Sequence, residues 1–332
     1  MMESRAVLVI GARGVLGMAL LRAFEDAGWR IVQGTRRGDG GRAAKIVDLD
    51  RPETVATAIA GIDLVVDAVP HAGLVPERVV LGEGGILIDV SARPAAAGGS
   101  LREENEGADG TVVLNSGRTP GLSNLVVADL LEAHPEADEI EIVFSFSASG
   151  VSGRTGGEFV HGHLTSARQH RTAVIPFPAP VGPTRCLGFA ESEDGWLGGL
   201  AEHRVVATYA RFSPALLHRF LLGANTMRLM KALPLAAFVP RRKDSGGELS
   251  TEPVTEWIAV RRKGRHLAAR TITGAGNYRV TAAATLVLAE TLTHPARRDR
   301  VRPGCFYPQE LFSLAELEAD LRQRGLAVTN AA

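Results

Sequence analysis

Apolar positions along the first 115 residues fall into short continuous runs separated by helical periods. Ala6–Ile10 is fully apolar, as a strand buried on both faces of a parallel sheet requires. From Val15 the period changes. Leu16, Ala19, Leu20, Ala23, Phe24 and Ala27 share one helical face, and Gly28 is a natural stop. Ile31–Gly34 and Ala44–Val47 read as the second and third strands, with a helix from Pro52 to Ala60. Leu64–Val69 is the fourth strand, followed by a short helix over Pro76–Leu81. Ile86–Val90 and Val112–Leu114 add two more strands. Strands alternating with helices predict a parallel sheet with helices on both faces.

The pattern changes after a helix over Gly121–His134. Glu139–Phe146 alternates, with Ile140, Ile142, Phe144 and Phe146 on one face, the mark of a half-buried antiparallel strand. Ser147–Gly157 reads as a loop of small residues, Arg185–Ala190 and Arg204–Arg211 as strands, and Pro214–Leu233 as a helix. Trp257–Arg261 and His266–Thr273 flank Lys263-Gly264, a hairpin signal. Thr281–Leu292 and the amphipathic Leu314–Arg324 are the last helices. Arg93–Gly99 and Arg241–Gly247 read as mobile stretches.

The predicted fold class is therefore α/β. A Rossmann-type doubly wound parallel sheet occupies residues 1–134. An inserted α+β domain with an antiparallel sheet covers 135–275. Helices of 276–332 return to the Rossmann domain.

Composition narrows the function classes. Formal net charge is zero, with 37 basic and 37 acidic residues, so nothing draws nucleic acid or an anionic membrane over long range. Cys186 and Cys305 are the only cysteines. They have no metal-like spacing, so no metal site is expected and a reducing, cytoplasmic compartment fits. The apolar stretch Ala282–Leu292 is too short to span a bilayer.

The strongest chemical signal is Gly11-Ala12-Arg13-Gly14-Val15-Leu16-Gly17, between a strand and a helix. Gly11 permits the tight turn, Gly14 lets the backbone approach a pyrophosphate, and Gly17 permits close packing. The helix start at Val15 and Leu16 offers N–H groups and a partial positive charge. Where an NAD-preferring site places Asp or Glu after the second strand, this chain has Thr35-Arg36-Arg37. Guanidinium groups suit a 2′-phosphate, which points to NADP(H). Arg13 is a further candidate for that phosphate. Asp48, after the third strand, is placed either to approach the adenine amino group or to cap the next helix. Ala68-Val69-Pro70 and Ser91 end the fourth and fifth strands, where the nicotinamide ribose passes.

These segments resemble the saccharopine dehydrogenase-like oxidoreductases. The features are Gly11–Gly17 with Thr35–Arg37, Val47-Asp48, Ala60–Pro70, Ile88–Ser91, Gly117–Asn124, Gly274–Ala284 and Gly304–Pro308. The resemblance implies a Rossmann domain, an inserted α+β domain that carries substrate contacts and often the homodimer interface, and NADP-linked hydride transfer at a carbon–nitrogen bond of a small amino-acid-like substrate. It supplies no acid–base pair. The Tyr-x-x-x-Lys device of short-chain dehydrogenases is absent, since Tyr209, Tyr278 and Tyr307 lack a lysine four residues on. His161 and His163 are candidate acid–base groups against a surface or structural role, Arg154 a candidate carboxylate binder, and Tyr278 a candidate proton donor or a packed tyrosine. The alternative function is an NADP-sensing regulator without turnover.

Overall fold

The computed structural model describes residues 5–37, 43–71, 73–104, 107–147, 154–165, 171–189, 196–234 and 251–331. The chain divides into two compact units. One comprises Met1–Leu125, Gly195–Gly198 and Thr281–Arg324, the other Val126–Asp194, Gly199–Val280 and Gly325–Ala332.

The chain opens with β1 (Ala6–Ile10), α1 (Val15–Asp26), β2 (Arg30–Thr35), β3 (Ala44–Ile46), α2 (Pro52–Ile59), β4 (Leu64–Asp67), α3 (Val75–Glu83), β5 (Gly85–Asp89), α4 (Ala95–Glu104), β6 (Gly110–Val113) and α5 (Leu122–Ala133). It continues through β7 (Glu139–Ser147), α6 (Arg154–Thr165), β8 (Thr172–Pro176), β9 (Pro183–Gly188), β10 (Val205–Ser213), α7 (Ala215–Thr226), β11 (Pro253–Arg262) and β12 (Arg265–Ala275). It closes with α8 (Asn277–Leu292), β13 (Gly304–Phe306), α9 (Pro308–Leu311), α10 (Leu314–Gln323) and β14 (Ala327–Ala331).

The first unit is a Rossmann-type sheet in the order β13-β6-β5-β4-β1-β2-β3, parallel throughout. Strand order reverses between β1 and β4, the switch point where doubly wound folds bind ligands beyond the carboxyl ends of their strands. Every residue of β1 is buried, which is why its sequence shows no alternation. Leu8 and Ile10 pack with Val55 of α2 and with Val80 and Leu81 of α3, while Val7 and Val9 are buried on the opposite face. A seventh strand, β13, joins the edge beside β6 through Gly304–Phe306. Three residues are too few to show a period, so the sequence pattern gives no sign of it.

The second unit is built on a mixed sheet, β14-β12-β11-β7-β10-β9-β8. It corrects the expectation of an antiparallel sheet at one point: β7 and β10 run parallel, from Glu139 beside Val205 to Ser147 beside Ser213. β7 is central and buried on both faces rather than half-buried. The polar Glu141 created the apparent alternation, but it too is buried, accepting from Arg261 Nη2 at 3.2 Å and from the Trp257 indole N–H at 3.3 Å. The β11–β12 hairpin turns at Lys263-Gly264, both at positive φ (49° and 75°), as a two-residue type I′ turn demands.

Three further differences concern helices and strands. The stretch from Arg93 is not a loop: Arg93 is buried and α4 starts at Ala95. The helix after Pro214 stops at Thr226, and Arg228 takes a positive φ of 60° two residues on. β14 follows the last helix and pairs with β12. Arg241–Gly247 lies outside the described residues. Among the described residues, no helix is long and apolar enough to cross a membrane.

Candidate functional site

The turn after β1 is shaped by close approach. Gly11 has φ +80°, and a Cβ there would lie 2.6 Å from Val69 Cγ2. A Cβ on Gly17 would lie 2.1 Å from the Gly11 carbonyl oxygen, so α1 starts with its backbone against the turn. Gly14 is exposed, and its N–H donates to Gly11 O at 2.8 Å. It also caps α1 without any side-chain bond, so the first turn, including Val15 and Leu16, presents its N–H groups beside an exposed glycine. These residues fit a pyrophosphate: bare backbone at 11 and 17 lets the turn close tightly against Val69 and α1, and the missing side chain at the exposed Gly14 leaves the helix-start N–H groups uncovered.

The other sequence candidates take positions around this turn. Val69, against Gly11, brings the Ala68–Pro70 segment alongside, and Ala68 N–H donates to Ile10 O at 3.1 Å. Thr35 closes β2 and is buried, while Arg36 and Arg37 are exposed on the turn that follows. Arg13 is exposed on the glycine turn. Asp48 does not cap α2, whose N-cap is Arg51 with no side-chain bond. Its Oδ1 instead accepts from Asp50 N–H at 3.3 Å, and Thr54 ties the turn by accepting from Asp48 N–H at 2.9 Å. Ser91 sits after β5, with its N–H donating to Asp89 Oδ1 at 2.8 Å.

Next to these residues lies a buried charge cluster that sequence reasoning missed. β4 and β5 are neighbours, and each ends in an aspartate: Asp67 and Asp89 are register partners. Each folds its carboxylate over its own strand end, Asp67 Oδ1 accepting from Val69 N–H at 3.0 Å as Asp89 Oδ1 does from Ser91. Glu77 projects from α3, and all three carboxylates are 0% exposed. One guanidinium serves them. Arg93 donates to Asp89 through Nε and to Glu77 Oε1 through Nη2 at 3.0 Å, with Asp67 Oδ2 at 3.5 Å. Its Nη1 donates to the carbonyl of His71.

His71 completes the group, its Nε2 lying 3.0 Å from Asp67 Oδ2 and 3.7 Å from Glu77 Oε2. Asn115, at a left-handed φ of 54°, clamps Arg93 from behind: its Oδ1 accepts from Arg93 N–H at 2.6 Å and its Nδ2 donates to Arg93 O at 3.1 Å.

Three buried carboxylates against one guanidinium leave excess negative charge. Burial, reinforced by Asp89, raises the Asp67 carboxyl well above its ordinary range. Burial, then Asp89 and Asp67, pushes Glu77 up to about 8. Burial lowers His71, against the pull of Glu77. Burial also opposes the Arg93 charge, but Asp89, Glu77 and Asp67 more than restore it. The arrangement is one that holds protons or a cation at the carboxyl edge of the sheet. The available signal was an aspartate closing each of two apolar runs, Leu64–Asp67 and Gly85–Asp89.

The remaining candidates lie in the second unit. His161 and His163 are on α6, whose first turn takes up Arg154–Gly157, the end of the expected loop; residues 148–153 lie outside the described residues. His161 Nε2 is 2.9 Å from Leu233 O, and His163 Nδ1 is 2.7 Å from Phe159 O with its ring stacked on Phe189. Arg154 opens α6 and pairs with Glu158 at 2.7 Å. The Tyr278 hydroxyl packs where a Cβ on Gly156 would stand.

Comparison with known proteins bears on the fold. Residues 7–85 match the model of the NAD dependent epimerase/dehydratase family. No curated protein matches the chain in sequence. Saccharopine dehydrogenase (L-Glu forming) from Saccharomyces cerevisiae superimposes with a TM-score of 0.61 at 12% identity, over 99% of this chain and 100% of that one.

The chain has the fold of saccharopine dehydrogenase. A meso-DAPDH variant with DAP, from Clostridium tetani E88, gives a TM-score of 0.51 at 12% identity, over 96% of this chain and 98% of that one. The expected resemblance therefore holds at the level of fold along almost the whole chain, while the sequence match is confined to the strands and helices around the glycine turn.

Proposed function

We propose that this protein is an NADP(H)-dependent oxidoreductase that transfers hydride at a carbon–nitrogen bond of a small amino-acid-like substrate. The observation that carries the reading is the glycine turn at the switch point of a parallel sheet, with an uncapped helix start beside it. Gly11, Gly14, Val15, Leu16 and Gly17 would hold the pyrophosphate. Arg36, Arg37 and Arg13 would face the 2′-phosphate, and Ala68–Pro70 with Ser91 would border the nicotinamide ribose. The cofactor supplies the hydride; the chain's own part is to bind and orient it. The printed names of the fold relatives, saccharopine dehydrogenase and meso-DAPDH, favour an amino-acid-like substrate. A homodimer is part of the proposal: Leu216, Phe220 and Met227 leave apolar side chains exposed on and just beyond α7.

Calorimetric titration with NADPH and NADH tests the reading. NADPH binding much tighter than NADH is the expected result, followed by loss of reduced-cofactor absorbance when 2-oxo acids and amino acids are supplied together. Binding of neither nucleotide would sink the cofactor assignment. Binding without turnover of any such pair would leave the sensor reading in its place.

A further inference from the structure

We propose that Asp67, His71 and Glu77 form a binding site for one divalent transition cation of the zinc class, within the Rossmann unit and separate from the pyrophosphate cradle. The three ligand atoms, Asp67 Oδ2, His71 Nε2 and Glu77 Oε2, all lie within 4.8 Å of one another. Two of the spacings are 3.0 and 3.7 Å. Tetrahedral zinc with ligand bonds of about 2.0–2.2 Å sets its ligand atoms roughly 3.3–3.6 Å apart, between those two values. One imidazole and two carboxylates form a donor set suited to zinc or a neighbouring first-row cation.

Glu77 Oε2 singles out a cation over a proton. It is buried and accepts no hydrogen bond, although its carboxylate partner Oε1 is bonded to Arg93. If His71 Nε2 carries hydrogen, it donates to Asp67 Oδ2 at 3.0 Å and Glu77 Oε2 is left bare. If it carries none, a proton on Asp67 Oδ2 fills the same 3.0 Å and Glu77 Oε2 is again left bare. A single cation between the three atoms satisfies all of them at once.

Charge and support agree with this. Asp89 and Arg93 neutralise each other through the Arg93 Nε bond, leaving Asp67 and Glu77 as two negative charges for a divalent ion. The unused carboxylate oxygens are fixed by Val69 N–H and by Arg93, the outer-shell bonds that orient metal ligands. The loop carrying His71 is held at both ends, its carbonyl by Arg93 and that of Gly73 by Arg78. His71 is 13% exposed while the two acids are fully buried, so the fourth coordination position opens on the His71 side to water or another oxygen donor.

The test uses the full chain, stripped with a chelator, dialysed, and titrated with zinc by calorimetry, with metal content measured after gel filtration. The expected result is one zinc per chain in the wild type, weakened at least tenfold in His71→Ala. Glu77→Gln, which retains an oxygen for Arg93, should weaken it similarly while circular dichroism confirms folding. Absence of stoichiometric zinc in the wild type overturns the proposal and assigns the excess charge to protons. Equal affinity in wild type and His71→Ala also overturns it, placing the metal on other histidines. NADPH titration of the same samples reads the cofactor assignment independently of either outcome.

Discussion

The two units bury charge differently: the second sets Glu141 against Arg261 inside its sheet, whereas the first gathers three acids around one guanidinium. The first places charge inside: Asp67, Glu77, Asp89 and Arg93 are sequestered where β4 and β5 end. The second packs rings: Phe144, Phe146, Phe189 and Phe212 lie with centroids 5.0–5.9 Å apart, joined by Phe159 and His163 of α6. Ring packing stabilises a fold directly through burial and contact. A buried charge cluster rarely does so, because desolvation offsets most of the attraction between its members. The contrast teaches where selection for something other than stability is to be sought, namely at the strand ends of the first unit.

Arg93→Ala would break the contrast most severely. It removes the guanidinium from three buried carboxylates, and a loss of about 3–5 kcal/mol is expected in urea denaturation of the metal-free protein. A loss under about 1 kcal/mol would show that water or protons already carry the charge. Next in size is Arg36→Ala combined with Arg37→Ala, expected to weaken NADPH by about 1.5–3 kcal/mol per lost contact while sparing NADH. Equal weakening of both nucleotides would remove the 2′-phosphate assignment. In the second unit, Phe189→Leu should cost only about 1 kcal/mol, because the neighbouring rings can close around a smaller apolar group.

A pH series sharpens the same comparison. Burial lowers both His163 and His218 in the second unit. The unfolded chain therefore takes up protons first as pH falls, so their contribution is complete above about pH 6.5 and declines below it. Lower amide-exchange protection in β9 and β10, taken relative to the intrinsic rate at each pH, is expected on going from neutral to mildly acidic pH, and its absence would count against buried neutral imidazoles. Arg154→Ala is the smallest effect. Its pair with Glu158 is exposed on α6, so stability should stay within about 0.5 kcal/mol in thermal melts.

Much of the first unit was legible because its signals are local. A glycine turn between an apolar strand and a helical period needs only consecutive residues, and so does the positive-φ hairpin turn at Lys263-Gly264. The charge cluster was not legible for the opposite reason. Arg93 meets Glu77 across 16 positions and Asp67 across 26. In sequence those acids look like a strand end and an ordinary first-turn helical glutamate. Glu141 misled in the same way, since a buried ion pair with Arg261, 120 positions on, imitates a solvent-facing position.

The sequence by itself determined most strands and helices of the first unit, the parallel α/β class of its sheet and the place of the glycine turn, because each follows from short-range periodicity or backbone freedom. Only the tertiary structure decided that β13 and β14 extend two different sheets, that β7 and β10 run parallel, and that Asp67, His71 and Glu77 converge. Strand pairing and charge burial depend on which distant segments share a low-dielectric interior, and no local pattern encodes that choice.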